Sequence, residues 1–196
     1  MTISVLGIAG GTRLNGNSEI LLDNALRGAY SAGAQVSKIS LVTSSISSCI
    51  CPQSEDCLLT GICTVQDDMQ SIYSAIRASD LIFIAFPIAF RSVPAQTKQL
   101  FDRTQAIWVS KYLLKEQIRS KPTGAGYIIS TADTDNENEF DGAIQSTRSW
   151  LATIDFKEEE RLLVPNVSHL NDVYQNKQAI ASAYQTGFNL AEKSKV

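Results

Sequence analysis

The sequence contains no hydrophobic run long enough to cross a membrane. Its longest uninterrupted apolar segment, Leu81 to Phe86, is stopped by Pro87, whereas a transmembrane helix needs about 20 apolar residues. The first residues, Met1 to Val5, also lack the positive charge and the apolar stretch of a secretory leader. We therefore expect a cytoplasmic protein with no membrane partner.

Positive charge is scarce as well, and it is not clustered. The chain has 17 Lys and Arg against 20 Asp and Glu, which gives a formal net charge of -3. Proteins that bind nucleic acids group their basic residues on one surface, so nucleic acid is not an expected partner. The 196 residues, of which 44% are hydrophobic, predict one globular domain over residues 1–196.

Histidine is nearly absent. The single histidine, His169, follows a short polar segment, and such a residue is usually a surface residue. No serine and aspartate can be assigned with it to a nucleophilic triad. The sequence therefore predicts no catalytic side chain.

Apolar, β-branched runs alternate with helical patterns along the chain. This alternation predicts a parallel sheet with right-handed crossovers, and we expect a doubly wound, five-stranded α/β domain with helices on both faces. Ligands of such domains bind at the carboxyl ends of the strands, which points to the loops after the first, third and fourth strands. Strands are predicted at 3–8, 36–41, 81–86, 124–130 and 162–164, and helices near 21–30, 67–76, 94–114, 140–151 and 179–191.

The loop after the first strand is rich in glycine and leads directly into a helix. Glycines let the backbone curl so that its N–H groups point inward, and the start of a helix attracts anions. Arg13 adds a cation that suits a phosphate. The loop is neither a Walker A loop nor a GxGxxG fingerprint. It predicts a phosphate site, with a purely structural turn as the alternative; the candidate ligands are Gly11, Arg13, Asn15, Asn17 and Ser18.

Two segments carry a resemblance to a known family. Gly10 to Ser18 contains Arg-x-Asn-Gly-Asn-Ser, and Pro87 to Arg103 reads Pro-Ile-Ala-Phe-x3-Pro-Ala-x2-Lys-x2-Phe-Asp-Arg. Both resemble the flavodoxin-like NADPH-dependent FMN reductase family. The resemblance implies a flavodoxin-like fold, bound FMN and NAD(P)H-dependent reduction of FMN, a quinone or another small acceptor. The flavin then carries the chemistry, in agreement with the lack of a catalytic set.

The resemblance also implies where the flat flavin ring lies. The loop after the third strand runs along the ring, and the loop after the fourth strand approaches its pyrimidine end. Ala89 stands where the family commonly has tyrosine, which opens one wall and suggests that a second subunit covers it. We therefore expect a homodimer or homotetramer. The implied ring contacts are Pro87, Ile88, Ala89, Phe90, Arg91, Ser92, Val93, Ser130 and Thr131.

All four cysteines fall in one irregular segment, at about 43–66. Cys49, Cys51, Cys57 and Cys63 match a [4Fe-4S] or a zinc site in number. The segment resembles the iron–sulfur flavoproteins of the same superfamily, whose motif is Cys-x2-Cys-x2-Cys-x4–7-Cys, although only the last spacing agrees. Three readings stay open: a cluster, a zinc ion, or thiols without a metal. With a cluster, the protein would be an electron carrier that accepts electrons from ferredoxin.

Overall fold

A computed structural model describes residues 2–50, 55–136 and 138–195. Five parallel strands form one sheet in the order β2-β1-β3-β4-β5. This order confirms the predicted flavodoxin-like, doubly wound α/β architecture. The strands are β1 (Ser4–Ala9), β2 (Gln35–Ser40), β3 (Leu81–Pro87), β4 (Gly124–Thr131) and β5 (Phe156–Val164).

The helices pack on both faces of the sheet, and each face has its own hydrophobic core. One core lies between the sheet and α1 and α7, and the other lies under α3, α4 and α6. The central strand β3 is buried over 81–86, as expected for a strand that is covered on both faces. The helices are α1 (Asn17–Ser31), α2 (Glu55–Thr60), α3 (Met69–Ala78), α4 (Ala95–Arg103), α5 (Gln105–Trp108), α6 (Asp141–Thr153) and α7 (Lys177–Lys193).

The predicted helix over 94–114 is not continuous. It divides into α4, α5 and a π-helical turn, Val109–Leu113. The division has a local cause, because side-chain hydroxyls donate hydrogen bonds to carbonyl groups in the last turn of α4. Thr104 Oγ1 donates to the Phe101 carbonyl at 2.6 Å, and Tyr73 donates to the Arg103 carbonyl.

Two further boundaries differ from the sequence prediction. The strand predicted at 162–164 begins at Phe156. The apolar pattern failed to show its first half because β5 lies at one edge of the sheet, where charged residues face solvent or pair with other charges. The irregular cysteine segment contains the short helix α2. In the described residues, no helix has the length and apolar character needed to span a membrane.

Candidate functional site

A cleft of about 270 Å³ opens at the carboxyl end of the sheet. The loops after β1, β3 and β4, which the sequence singled out, all contribute to it. A fourth wall comes from the segment that follows β5. The lining residues are Gly11, Thr12, Arg13, Gly16, Asn17, Ser18, Pro87, Ile88, Ala89, Pro94, Thr131, Asp133, Val167, Ser168 and Leu170.

The loop after β1 is fastened to the sheet and to α4 through Gly10. Its N–H donates to the Ala85 carbonyl at 2.7 Å, and its carbonyl accepts from Thr97 Oγ1 at 2.8 Å. A Cβ atom at this position would lie 2.2 Å from Thr97 Oγ1, so only glycine allows this approach. The loop therefore starts from a rigid point and leads to α1.

The start of α1 forms the polar end of the cleft. Gly16 is the N-cap residue, and a glycine offers no side chain to cap the first-turn N–H groups. Ser18 is buried beside them, and the exposed side chain of Arg13 lies at the rim. A Cβ atom at Gly11 would lie 3.6 Å from Ser18 Oγ and 3.4 Å from Pro87 Cδ, so the loop after β1 meets the end of β3 here. Backbone N–H groups, a hydroxyl and a guanidinium at one place suit an anion.

Two of the predicted phosphate ligands have other partners. Asn15 has a left-handed backbone with φ 55° and donates its N–H to Glu19 Oε2 at 2.7 Å, and it does not line the cleft. Asn17 lines the cleft, but its carboxamide bonds the segment after β5. The structure thus brings Gly11, Arg13, Asn17 and Ser18 together at the cleft.

One carboxylate near this end is paired with a lysine within the fold. Glu19 is buried in the first turn of α1, and Lys38 Nζ lies 3.1 Å from its Oε1 and 2.7 Å from Asp23 Oδ1. Partial burial alone would lower the pKa of Lys38, but the two carboxylates raise it. Lys38 stays charged at neutral pH and partly offsets the negative charge of Glu19 near the start of α1.

The loop after β3 supplies an apolar wall. Pro87, Ile88 and Ala89 line the cleft, and the Ile88 N–H donates to the Thr131 carbonyl at 2.8 Å, which joins this wall to β4. Flat aromatic ligands gain contact area against such a wall. Val93 is instead buried in the core, so its role is to anchor the loop.

The tip of the same loop turns away from the cleft. Ala89 and Ser92 exchange two backbone hydrogen bonds of 2.9 and 3.0 Å, and the turn between them has φ 51° at Phe90 and 57° at Arg91. Positive φ at both central residues defines a type I′ turn. The Phe90 ring is fully exposed, and Arg91 Nε lies 3.7 Å from Glu139 Oε2. Phe90, Arg91 and Ser92 therefore do not line this cleft.

The loop after β4 divides the two residues predicted from it. Thr131 lines the cleft, whereas Ser130 is buried and donates to the Phe86 carbonyl at 3.0 Å. Asp133, which the sequence prediction omitted, also lines the cleft. Among the lining residues, Arg13 and Asp133 are the ones with an acidic or basic side chain, so the cleft has few groups able to exchange protons.

The fourth wall was missed because the prediction placed no ligand loop after β5. Val167, Ser168 and Leu170 belong to it, and the Val167 N–H donates to the Ala132 carbonyl at 2.9 Å. The signal was available, since β5 is parallel to its neighbours and must end at the same edge of the sheet. The predicted strand was too short to draw attention to that end.

The cysteine segment is organised around a buried ion pair. Arg103 Nη1 lies 2.6 Å from Asp67 Oδ2, and Nη1 also donates to the Ser47 carbonyl at 2.9 Å. Burial alone would raise the pKa of Asp67, but Arg103 and the N–H groups of Ser47 and Met69 lower it to about 2. These contacts join both ends of the segment to α4.

The described cysteines do not form a common ligand set. Cys57 is buried in the core below α3, and Cys63 Sγ lies 3.4 Å from Arg103 Nη2. Cys49 lines a separate groove with Lys98 and Asp102. Cys51 lies outside the described residues. Within residues 2–50, 55–136 and 138–195, no three His, Cys, Asp or Glu side chains are placed to hold a metal, so the described cysteines do not fit a cluster or a zinc ion, two of the three alternatives left open by the sequence.

Fold and cleft together define a flavodoxin-like α/β protein with a ligand site at the carboxyl edge of its sheet. A model of the NADPH-dependent FMN reductase family matches residues 3–152. The chain therefore belongs to this family, which confirms the resemblance, and it is a flavin oxidoreductase that uses FMN and NAD(P)H.

Similar proteins agree with this assignment. The chain is 28% identical over 150 residues to an iron-sulfur flavoprotein of Methanosarcina thermophila, covering 76% of this chain and 73% of that protein. It is 32% identical over 124 residues to an iron-sulfur flavoprotein of Methanocaldococcus jannaschii, covering 63% of this chain and only 60% of the relative.

A solved structure shares the fold over nearly its full length. An NAD(P)H:quinone oxidoreductase from Methanothermobacter marburgensis superimposes with a TM-score of 0.74 at 17% identity, covering 97% of this chain and 96% of that one. At this identity the likeness supports the fold alone.

Proposed function

We propose that the cleft binds FMN, with the phosphate at the start of α1 and the isoalloxazine ring against Pro87, Ile88 and Ala89. The observation that carries the proposal is the convergence of a polar anion site and an apolar wall in one cleft. The residues present fit the two ends of FMN. A phosphate needs N–H donors and a cation, and a flat ring needs apolar contacts with few polar groups.

The protein residues bind and orient the cofactor, and bound FMN supplies hydride and electron transfer between NAD(P)H and a quinone or another small acceptor. Arg13 and the first-turn N–H groups of α1 hold the dianionic phosphate. The Ile88–Thr131 backbone bond keeps the apolar wall in register with β4. No side chain is assigned a proton-transfer step.

The first test compares FMN with riboflavin, which lacks the phosphate. FMN should bind one per chain and more tightly than riboflavin in a fluorescence-quenching titration. Arg13→Ala should weaken FMN by about tenfold, the range of a charge-assisted hydrogen bond, and leave riboflavin unchanged. Equal affinity of the wild type for the two flavins would contradict the phosphate assignment.

Activity with a quinone forms the second arm of this test. The FMN-loaded protein should oxidise NADPH or NADH when menadione is supplied. Arg27→Ala is the control for Arg13→Ala, because Arg27 is exposed on α1 and lies outside the cleft; it should leave FMN binding and activity unchanged. If the FMN-loaded protein accepts electrons from neither NADPH nor NADH, the proposed reductase function is wrong.

A second candidate function is an iron–sulfur electron carrier that accepts electrons from ferredoxin. Four cysteines in one segment and the names of the curated relatives favour it, whereas the positions of Cys57 and Cys63 do not. Iron and sulfide should be measured in protein purified without oxygen. Stoichiometric iron that is lost in Cys57→Ser, together with rapid reduction by ferredoxin, would establish the electron-carrier function. If the purified protein contains no iron, the reductase remains the proposed function.

A further inference from the structure

The carboxamide of Asn17 is engaged at both ends by one distant segment. Its Nδ2 donates to the His169 carbonyl at 2.7 Å, and its Oδ1 accepts from the Val173 N–H at 3.3 Å. These partners follow Asn17 by more than 150 residues in the sequence. The side chain therefore joins the first turn of α1 to the segment between β5 and α7.

That segment forms the fourth wall of the cleft. Its residues Val167, Ser168 and Leu170, which come after the end of β5 and before Val173, line the cleft. Its backbone is irregular from residue 165 onward, and Asn171, with φ 71°, stands directly before a short 3-10 helix, Asp172–Gln175. Backbone hydrogen bonds shape the segment locally and tie Val167 to Ala132, and the two bonds of the Asn17 side chain join the segment to α1.

A second side chain holds the same segment from within. Asp172 Oδ2 accepts from the Ser168 N–H at 3.1 Å and from the His169 N–H at 2.6 Å. Both of these hydrogen bonds lie within the wall segment, whereas those of Asn17 connect the wall segment to α1. The two residues thus act on one wall from different positions.

The chemistry of the amide limits what Asn17 does for a phosphate. A phosphate only accepts hydrogen bonds from a neutral amide, so Oδ1 has no use there, and one of the two Nδ2 hydrogens is already donated. The wall, through His169 and Val173, determines the orientation of the amide.

We propose that Asn17 is a positioning residue, which ties the fourth wall of the cleft to the phosphate end, and is not primarily a phosphate ligand. The proposal rests on the proposed FMN site. A loose wall weakens contacts to the flavin as a whole, whether or not a phosphate is present. Loss of Asn17 therefore lowers the affinities for FMN and riboflavin by the same factor.

The experiment is a titration of both flavins into four proteins: wild type, Asn17→Ala, Asp172→Ala and Arg13→Ala. Asn17→Ala should weaken both flavins about tenfold, the equivalent of one or two net hydrogen bonds, and so preserve the FMN-to-riboflavin ratio. Asp172→Ala should give the same pattern. Arg13→Ala should change the ratio, because it removes only a phosphate contact.

The outcomes separate this proposal from the flavin site itself. If the wild type binds neither flavin, the proposed FMN site is wrong. A wild type that binds both, with Asn17→Ala weakened for FMN alone, overturns the positioning role and makes Asn17 a phosphate ligand.

A flavin-free measurement gives an independent answer. Hydrogen exchange of the apoprotein should show faster exchange of the Val173 N–H in Asn17→Ala, and unchanged exchange there in Arg13→Ala. Unchanged exchange at 168–173 in Asn17→Ala would overturn the proposal. Should Asn17→Ala fail to fold, an unequal effect of Asp172→Ala on the two flavins would overturn it instead.

Discussion

The guanidinium of Arg103 shows how one residue can organise a long excursion. Arg103 is 1% exposed and pairs with Asp67, and its donors also bond the Ser47 and Val65 carbonyls. A buried cation is tolerated only when it is paired and hydrogen-bonded. The segment between β2 and α3 is therefore held by an ion pair that the sequence analysis did not identify.

Removing the carboxylate should destabilise the protein. Asp67→Asn leaves Arg103 buried without its counter-charge, and we expect the free energy of unfolding at pH 7 to fall by about 3 kcal/mol. Asp102→Asn is the matched control, since the Lys98–Asp102 pair is half exposed and should cost below about 1 kcal/mol. Urea unfolding measures both, and equal small losses would contradict the prediction.

The same pair predicts a pH dependence. The pKa of Asp67 is lowered to about 2 in the folded protein, below the value of about 3.9 in an unfolded chain. The stabilisation is therefore present above pH 4 and is lost as the pH falls toward 2. The difference between wild type and Asp67→Asn should shrink across this window in acid-unfolding curves; a constant difference would count against the ion pair.

Two helices pack closely enough that glycine is required on both. A Cβ atom at Gly28 of α1 would lie 2.0 Å from the Tyr184 carbonyl oxygen, and one at Gly187 of α7 would lie 2.1 Å from that of Ala25. The contact seats α7 directly against α1. Because α7 follows the segment after β5, this packing also determines where that segment, which carries the fourth wall of the cleft, ends.

Gly187→Ala should separate these helices. Alanine favours a helix over glycine by about 1 kcal/mol, but the overlap with a backbone oxygen should outweigh this gain and cost about 2 kcal/mol overall. Asn189→Ala, at an exposed position of the same helix, tests helix propensity without the overlap. Chemical unfolding of both variants checks the sign, and a more stable Gly187→Ala would refute the close contact.

On the scale of the whole molecule, exposed apolar side chains lie on α2, α5 and the π-helical turn. Ser110 of the π-helical turn contacts Gly61, which directly follows α2. Contiguous exposed apolar surface commonly marks a protein interface. We call this surface the α2–π face; its exposed residues are Leu58, Leu59, Ile62, Trp108, Tyr112 and Leu113.

The expected homodimer or homotetramer should use the α2–π face. Leu59→Glu, at a side chain that is 72% exposed, should lower the mass measured by light scattering without unfolding the protein. Tyr30→Glu is the control, because Tyr30 is 69% exposed on α1, outside this surface. A monomeric wild type at micromolar concentration, with FMN bound, would show the prediction to be wrong.

Local sequence determined the order of the five strands and the positions of the ligand loops after β1, β3 and β4. Runs such as 81–86 are apolar at every position, and Gly10, Gly11 and Gly16 mark a tight turn before a helix. These signals are readable because they depend on residues that are close together in the chain.

The tertiary structure alone decided which of those residues face the cleft. Ser130 and Val93 are buried and Phe90 faces solvent, whereas Asn17 lines the cleft but bonds a carbonyl group 152 residues away in the sequence. It also placed Cys57 in the core and Cys63 beside Arg103, where their number and their position in one segment had suggested a shared site. Side-chain direction depends on packing between distant segments, and spacing along the chain carries no information about those contacts.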